Sequence, residues 1–279
     1  MKKFNQIIGS CFLVFIISCQ TATVNSSAKP SHQDPVYKNL YIHGKIYAAF
    51  YQQRAAEYEA LCLQAYNIAK LRLDQALASR KESDPPLAIV SDIDETFLDN
   101  SYYAVSQAKM GKSYDKEAWK KWTDEGIAKP LSGSQEFYQY AASKGVQVFY
   151  ITNRKEEERS GTTKNLKKYG FPLQNENNLI LRQDSNNSKE DRRKKVAKNY
   201  NIVLFLGDNL ADFSSLFDDD AKELQRSKAV KTLANDFGKK FIVLPNTGYG
   251  DWENSFFNYD KLSDSLKSSM IYDAVKTTP

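Results

Sequence analysis

Two aspartates separated by a single residue, Asp92 and Asp94, close the apolar run Leu87-Ala88-Ile89-Val90. Pro85-Pro86 bounds the run on one side and an acidic cluster on the other, the pattern of a strand buried on both faces of a parallel sheet. Carboxylates this close repel one another, so a cation or a proton must stabilise them. Mg²⁺ suits the task, a small hard ion that takes carboxylate oxygens at about 2.0–2.1 Å. One aspartate can then attack phosphorus while the other carries a proton, which is phosphoryl transfer through an aspartate nucleophile.

The elements that must position this pair follow from periodicity. From about residue 46 to 83, apolar and aromatic residues, among them Tyr58, Leu61, Tyr66, Ala69 and Leu73, recur at helical spacing and predict one long helix before the first strand. Residues 101–140 read as helix-rich, carrying Trp119, Trp122, Phe137 and Tyr138, with breaks at Pro130 and Gly133. Short apolar strands over 146–151, 179–181, 202–206 and 241–244 then alternate with helical segments. The expected fold is therefore α/β, a Rossmann-like parallel sheet with an accessory, mainly helical cap portion. Such sheets bind ligands outside the carboxyl ends of their strands. At those ends the sequence places Asp92 and Asp94, then Thr152-Asn153-Arg154, then Asp208-Asn209 with Asp212 one helical turn on, then Pro245 to Gly250. The basic start of a helix, Ser188 to Arg193 with Lys189 in it, precedes the strand at 202–206.

The N-terminus has a different character. Lys2-Lys3, an apolar segment from Ile7 to Ile17 and Ser18-Cys19 describe a secretory signal, too short to span a bilayer as a helix. Ile16-Ile17-Ser18-Cys19 resembles a bacterial lipobox, which gives a signal over 1–18, a lipid on Cys19 and a polar tether over 19–36. Residues 37–279 are then one domain. Cys11 leaves with the signal, so Cys62 has no partner for an internal disulfide and reads as a small core residue. The net charge of +5 falls to +3 without Lys2 and Lys3, too mild to imply nucleic acid.

Two stretches carry a family resemblance: Ile89 to Asn100 (Ile-Val-Ser-Asp-Ile-Asp-Glu-Thr-Phe-Leu-Asp-Asn) and Leu206 to Phe213 (Leu-Gly-Asp-Asn-Leu-Ala-Asp-Phe). They resemble the haloacid-dehalogenase-like superfamily and, within it, the class C bacterial acid phosphatases, exported lipoproteins that hydrolyse phosphomonoesters. Glu95, where most of the superfamily has glycine, points to class C, and Ala56-Glu57-Tyr58, Trp119, Trp122 and Pro245 to Glu253 agree with it. Ser91 and Phe97 depart slightly from the pattern. The resemblance implies an Mg²⁺-dependent acid phosphatase in which Asp92 forms an aspartyl-phosphate and Asp94 serves as acid and then base. It implies Mg²⁺ on Asp92, the Asp94 backbone carbonyl and Asp208, and phosphoryl contacts from Thr152 and Lys189. Asp212 and Asn153 fall behind these groups, Asp212 as a partner for Lys189 or a metal-bound water. Lys194 and Lys195 compete for the lysine role, but the family pattern places the lysine just ahead of the paired arginines.

Trp119 and Tyr249 match positions that sandwich a nucleobase in related enzymes, which implies 5′-nucleoside monophosphates as substrates. Sugar phosphates and phosphoamino acids are the alternative within enzymes, and a surface-binding, for example haem-binding, lipoprotein is the alternative outside them. A lipid anchor in the bacterial outer membrane and a homodimer are compatible with the resemblance. The two histidines, His32 and His43, lie far from every strand end. Proton transfer then rests on a carboxylate, and mildly acidic pH should favour activity. Trp122 and Trp252 read as packing, Arg192 to Lys195 as a solvated helix face, and Asp218-Asp219-Asp220 as a surface acidic run.

Overall fold

The computed structural model describes residues 39–183, 188–218 and 221–278. The expected signal, the tether, Cys19 and His32 lie outside the described residues. In chain order the strands are β1 (Leu87–Ser91), β2 (Leu98–Asp99), β3 (Lys129–Pro130), β4 (Gln147–Lys155), β5 (Leu179–Arg182), β6 (Asn201–Gly207) and β7 (Phe241–Val243). The helices are α1 (Leu40–Arg54), α2 (Ala56–Ser79), α3 (Ser101–Lys109), α4 (Lys116–Glu125), α5 (Ser134–Ser143), α6 (Arg159–Lys168), α7 (Glu190–Ala197), α8 (Glu223–Thr232), α9 (Asp251–Phe256) and α10 (Asp264–Ala274). No helix among the described residues is long and apolar enough to cross a membrane.

Five strands form a parallel sheet in the order β5-β4-β1-β6-β7, while β2 and β3 pair as a small antiparallel ribbon. The expected α/β fold is thus observed. Side chains alternate across the pleat, so β1 sends Leu87 and Ile89 into one core and Ala88 and Val90 into the other. Val148 and Tyr150 of β4 and Leu204 and Leu206 of β6 join the first core, with Tyr66, Leu73, Phe97 and Tyr138. Phe149, Ile151 and Phe205 join the second. A sheet covered on both faces explains why its strands read as unbroken apolar runs. The chain winds outward from β1 in both directions, so the switch of strand order leaves a crevice between the carboxyl ends of β1 and β6.

The single helix expected over 46–83 is two helices, bent apart at Ala55, whose backbone is extended (φ −87°, ψ 125°). Arg54-Ala55-Ala56 carries no breaker. The bend comes from packing: α2 buries Tyr66, Ala69 and Leu73 in the sheet core, whereas Tyr41 and Ile42 of α1 pack with Ala108 and Phe257 in a separate cluster. Leu61, which fits the apolar spacing, is exposed. The cap portion is α3, α4 and the β2–β3 ribbon, inserted between β1 and α5.

Candidate active site

β1 stops at Ser91, and the Asp92 backbone N–H still bonds the Leu206 carbonyl of β6 at 3.0 Å. That bond draws the mouths of the two strands together and sets Asp92 beside Asp208. Asp92, Asp208 and Asp212 bring one carboxylate oxygen each within 4.8 Å of one another. Lys189, buried at the start of α7, bonds Asp92 and lies 2.7 Å from Asp212. The Thr96 hydroxyl reaches both Asp92 (3.4 Å) and Asp208 (3.3 Å), and Asn246 Nδ2 donates to Asp208 at 2.7 Å.

Asp212 arrives there because the turn at Leu210–Asp212 is capped from both ends. Asn209 Oδ1 accepts from the Ala211 N–H, and Asp212 Oδ2 accepts from the Asn209 N–H at 3.1 Å. Arg193 clamps the turn from outside by donating to the Ala211 and Asp212 carbonyls at 2.7 and 3.0 Å. Gly207 makes the approach feasible, since a Cβ there would overlap the Asp212 carboxylate.

Electrostatically this cluster is unbalanced. Burial raises Asp92 above the usual carboxylate range, against the pull of Lys189, and Asp212 and Asp94 raise it further. Burial lifts Asp208 well above that range too, reinforced by Asp212 and Asp92. Burial alone would lower Lys189, but Asp212 and Asp92 outweigh it and hold the ammonium charged. Three carboxylates facing one ammonium leave two charges uncompensated when all are ionised. An all-oxygen donor set with that deficit fits a hard divalent cation such as Mg²⁺.

Asp94 points elsewhere. Arg154, fully buried in β4, grips it through Nε (3.1 Å to both oxygens) and Nη2 (2.7 Å), and Asn100 Nδ2 adds a bond at 2.9 Å. Thr162 holds Arg154 Nη1 at 3.0 Å. Its neighbour Gly161 lets α6 press against α4, where a Cβ would collide with the Thr123 carbonyl. Trp122 Nε1 donates to Asn100 Oδ1 at 2.7 Å, so this tryptophan packs on the core and also orients the amide.

Asp92, Asp94, Lys189, Asp208, Asp212, Asn153, Trp119 and Tyr249 all line one cavity of about 430 Å³. Trp119 rides on α4, which begins at Asp115, whose carboxylate accepts from Ala118 N, and ends at Gly126 in the left-handed conformation. The Trp119 ring meets Tyr103 edge-on and lies 5.8 Å from the Arg154 guanidinium. Tyr249 sits on the loop after β7, which Lys45 of α1 ties down by donating to the Gly248 carbonyl (2.9 Å) and pairing with Glu253 (3.2 Å). Thr152, expected to contact a phosphoryl oxygen, instead lies completely buried behind the cavity wall, its hydroxyl accepting from the Arg154 N–H at 3.1 Å. Asn153 is bound by Arg192, which also donates to the Thr152 carbonyl at 2.6 Å.

Several expectations change. Lys194 and Lys195 are both exposed, so of the three competing lysines it is Lys189 that reaches the cluster. Arg192 and Arg193 are structural and not a solvated face, because their donors close on Thr152 and on the Asp212 turn. Asp218 accepts from the Ser188 hydroxyl at 2.6 Å and so fastens the lysine-bearing segment. Trp252 is 52 % exposed and packs in no core; its indole caps the Tyr249 carbonyl. Arg154, Asn100, Thr96 and Asn246 were not singled out by the sequence. Only their nearness to strand ends could have marked them.

A parallel sheet wound outward from a central strand, with carboxylates gathered at its switch point, defines the class of α/β protein. The comparisons narrow it: residues 16–252 match the family model of the HAD superfamily, subfamily IIIB (acid phosphatase). The chain belongs to that family. Two solved structures of the class C acid phosphatase from Bacillus anthracis, one with tungstate bound, superpose with a TM-score of 0.80. They are 39 % identical, over 86 % of this chain and 100 % of theirs. Among curated proteins, acid phosphatase 1 of Solanum lycopersicum is 32 % identical over 130 residues, 44 % of this chain and 50 % of the relative. The stem 31 kDa glycoprotein of Glycine max is 25 % identical over 180 residues, 62 % and 56 % respectively. The chain spans about half the length of these plant relatives.

Proposed function

We propose that the protein is an Mg²⁺-dependent acid phosphatase for phosphomonoesters, with 5′-nucleoside monophosphates as its preferred substrates. The observation that carries the reading is the cluster of Asp92, Asp208 and Asp212 around Lys189, short of two positive charges and open to the cavity. Asp92 attacks phosphorus in line and forms an aspartyl-phosphate, replacing one hard displacement with two easier ones. Asp94 protonates the departing alkoxide and then deprotonates the water that opens the aspartyl-phosphate, work commonly worth about 10²–10⁴-fold. Lys189 screens Asp92 and a phosphoryl oxygen as a point charge. The Asp92 and Asp208 carboxylates, with the Asp94 backbone carbonyl and Asp212 beside them, would hold Mg²⁺, whose charge neutralises the transferring oxygens. Thr152 supports the phosphoryl site from behind through the Arg154 backbone. Trp119 and Tyr249 grip the base on either side, a contact open to all bases because each has a π-face.

The segment before the domain fits export, with a lipid on Cys19 holding the enzyme at the outer membrane and the tether of 19–36 giving it reach. Charged nucleotides cross membranes poorly and nucleosides do so more readily, so this placement suits scavenging. Loss of detergent-phase partitioning in Cys19→Ala checks the anchor.

The deciding experiment is phosphate release from 5′-nucleotides, 3′-nucleotides and sugar phosphates at pH 5–7, with Mg²⁺ or EDTA. Metal-dependent turnover of 5′-nucleotides is expected, with a loss of at least about 10³-fold in both Asp92→Asn and Asp94→Asn. Equal turnover of sugar phosphates would remove the nucleotide preference. No turnover of any ester by folded, Mg²⁺-loaded protein would leave a binding lipoprotein as the reading.

A further inference from the structure

Glu95 is the residue between the acid Asp94 and the bridging Thr96, and its backbone is left-handed (φ 53°), a conformation that a long side chain seldom takes without a compensating gain. The gain lies in its carboxylate, which is 2 % exposed and bonded on both oxygens. Oε1 accepts from the Asn100 N–H at 2.9 Å, and Oε2 accepts from the Tyr249 hydroxyl and, at 3.4 Å, from Asn100 Nδ2. The Asn100 amide can face only one way. Its Oδ1 takes the Trp122 indole N–H, a group that only donates, so Nδ2 must turn to the carboxylates of Glu95 and Asp94. Tyr249 meanwhile has a partly exposed ring (38 %) at the cavity wall and a hydroxyl turned inward to Glu95.

Resting on the reading above, in which Asp94 protonates the leaving group, we propose that Glu95 is a positioning residue that locks Tyr249 and Asp94 into one unit. The ring that grips the leaving group and the carboxyl that protonates it then share a single support. A proton donor works only when held in line with the departing oxygen, so loosening Glu95 should cost proton transfer more than binding.

The test compares two monoesters that both offer an aromatic ring to the cleft. A nucleoside 5′-monophosphate expels a basic alkoxide that needs the acid; p-nitrophenyl phosphate expels a weakly basic phenolate that needs it little. kcat/KM reports the steps up to leaving-group departure and so excludes the later role of Asp94 as base. Glu95→Gln is expected to lower kcat/KM for the nucleotide at least about tenfold more than for the aryl ester, a fraction of the 10²–10⁴ that acid catalysis supplies. Tyr249→Phe, which removes one hydroxyl and keeps the ring, should show the same selectivity in weaker form, and it stands as the test by itself if Glu95→Gln does not fold. Equal losses on both esters, in either folded variant, would overturn the proposal and leave Glu95 a loop support. Failure of the unsubstituted protein on every ester would instead overturn the phosphatase reading.

Discussion

Asp92 and Asp94 leave the same strand one residue apart, yet they enter opposite electrostatic settings. Asp92 joins two more carboxylates around a single lysine, in a cluster with charge left over. Asp94 turns into a closed account, a bidentate arginine and an amide, with Thr162 holding the arginine from behind. The first setting is short of positive charge and could hold a cation; the second is matched and fixes one carboxyl in space. Alternation alone would keep residues i and i+2 on one face; these two diverge because the ladder stops at Ser91 and different neighbours claim them. Identical side chains thus receive different tasks from their surroundings.

The contrast can be broken most severely by removing each cation in turn. Lys189→Met should destabilise the metal-free protein by about 3 kcal/mol, since it strands the buried Asp92 and Asp212, and Arg154→Met by less, since Asp94 is only partly buried and keeps its bond from Asn100. With Mg²⁺ present, the gap to the unsubstituted protein should narrow in Lys189→Met, where three carboxylates remain to hold the ion, and persist in Arg154→Met, whose cluster gains no more from Mg²⁺ than the parent's does. Melting temperatures with and without Mg²⁺ give the answer, and equal recovery would erase the distinction. Gly207→Ala is expected to be next in size, about 1–3 kcal/mol, because the new methyl displaces the Asp212 carboxylate and leaves Lys189 on Asp92 alone. Its Mg²⁺ affinity should fall while the Asp94–Arg154 pair stays intact, which titration against Mg²⁺ will check.

A smaller effect should appear with pH. Burial raises Asp92 from 3.8 to about 7 and raises Asp208 well above its ordinary value. An acid raised in the fold contributes stability that is complete below its unfolded pKa and is lost as pH climbs through the folded value. Metal-free protein should therefore lose melting temperature between about pH 4 and 7, and Mg²⁺ should restore most of it at the upper end. A metal-free melting temperature that climbs across this interval contradicts the unbalanced cluster. The smallest effect is expected far from both aspartates. Burial pushes the Cys62 thiol up to about 11, so iodoacetamide at pH 7 should leave native protein lacking residues 1–19 unmodified and fully active.

The sequence made the sheet legible because a strand buried on both faces must be apolar throughout, and it marked Asp92, Asp94 and Asp208 because carboxylates directly after such runs have few structural uses. Lys189 was reachable through its place ahead of the arginines. Arg154 and Asn100 were not, since one polar residue near a strand end looks like any other until the fold shows what it faces. The bend at Ala55 was equally hidden: two helices that pack on different clusters need different directions, and no local residue encodes that. Glu95 was noticed as a substitution for glycine, but its purpose became visible only once Tyr249 and Asn100 were placed around it.

β1 lies between β4 and β6 and is buried along its whole length. Its amides should therefore be among the slowest in the molecule to exchange with solvent, opening only when the domain as a whole unfolds. Asp92 is anchored directly to that strand, the part of the protein expected to melt last. Gentle heating or denaturant should then release Asp92 and the fold in one step, with no window in which an intact body has lost that carboxylate.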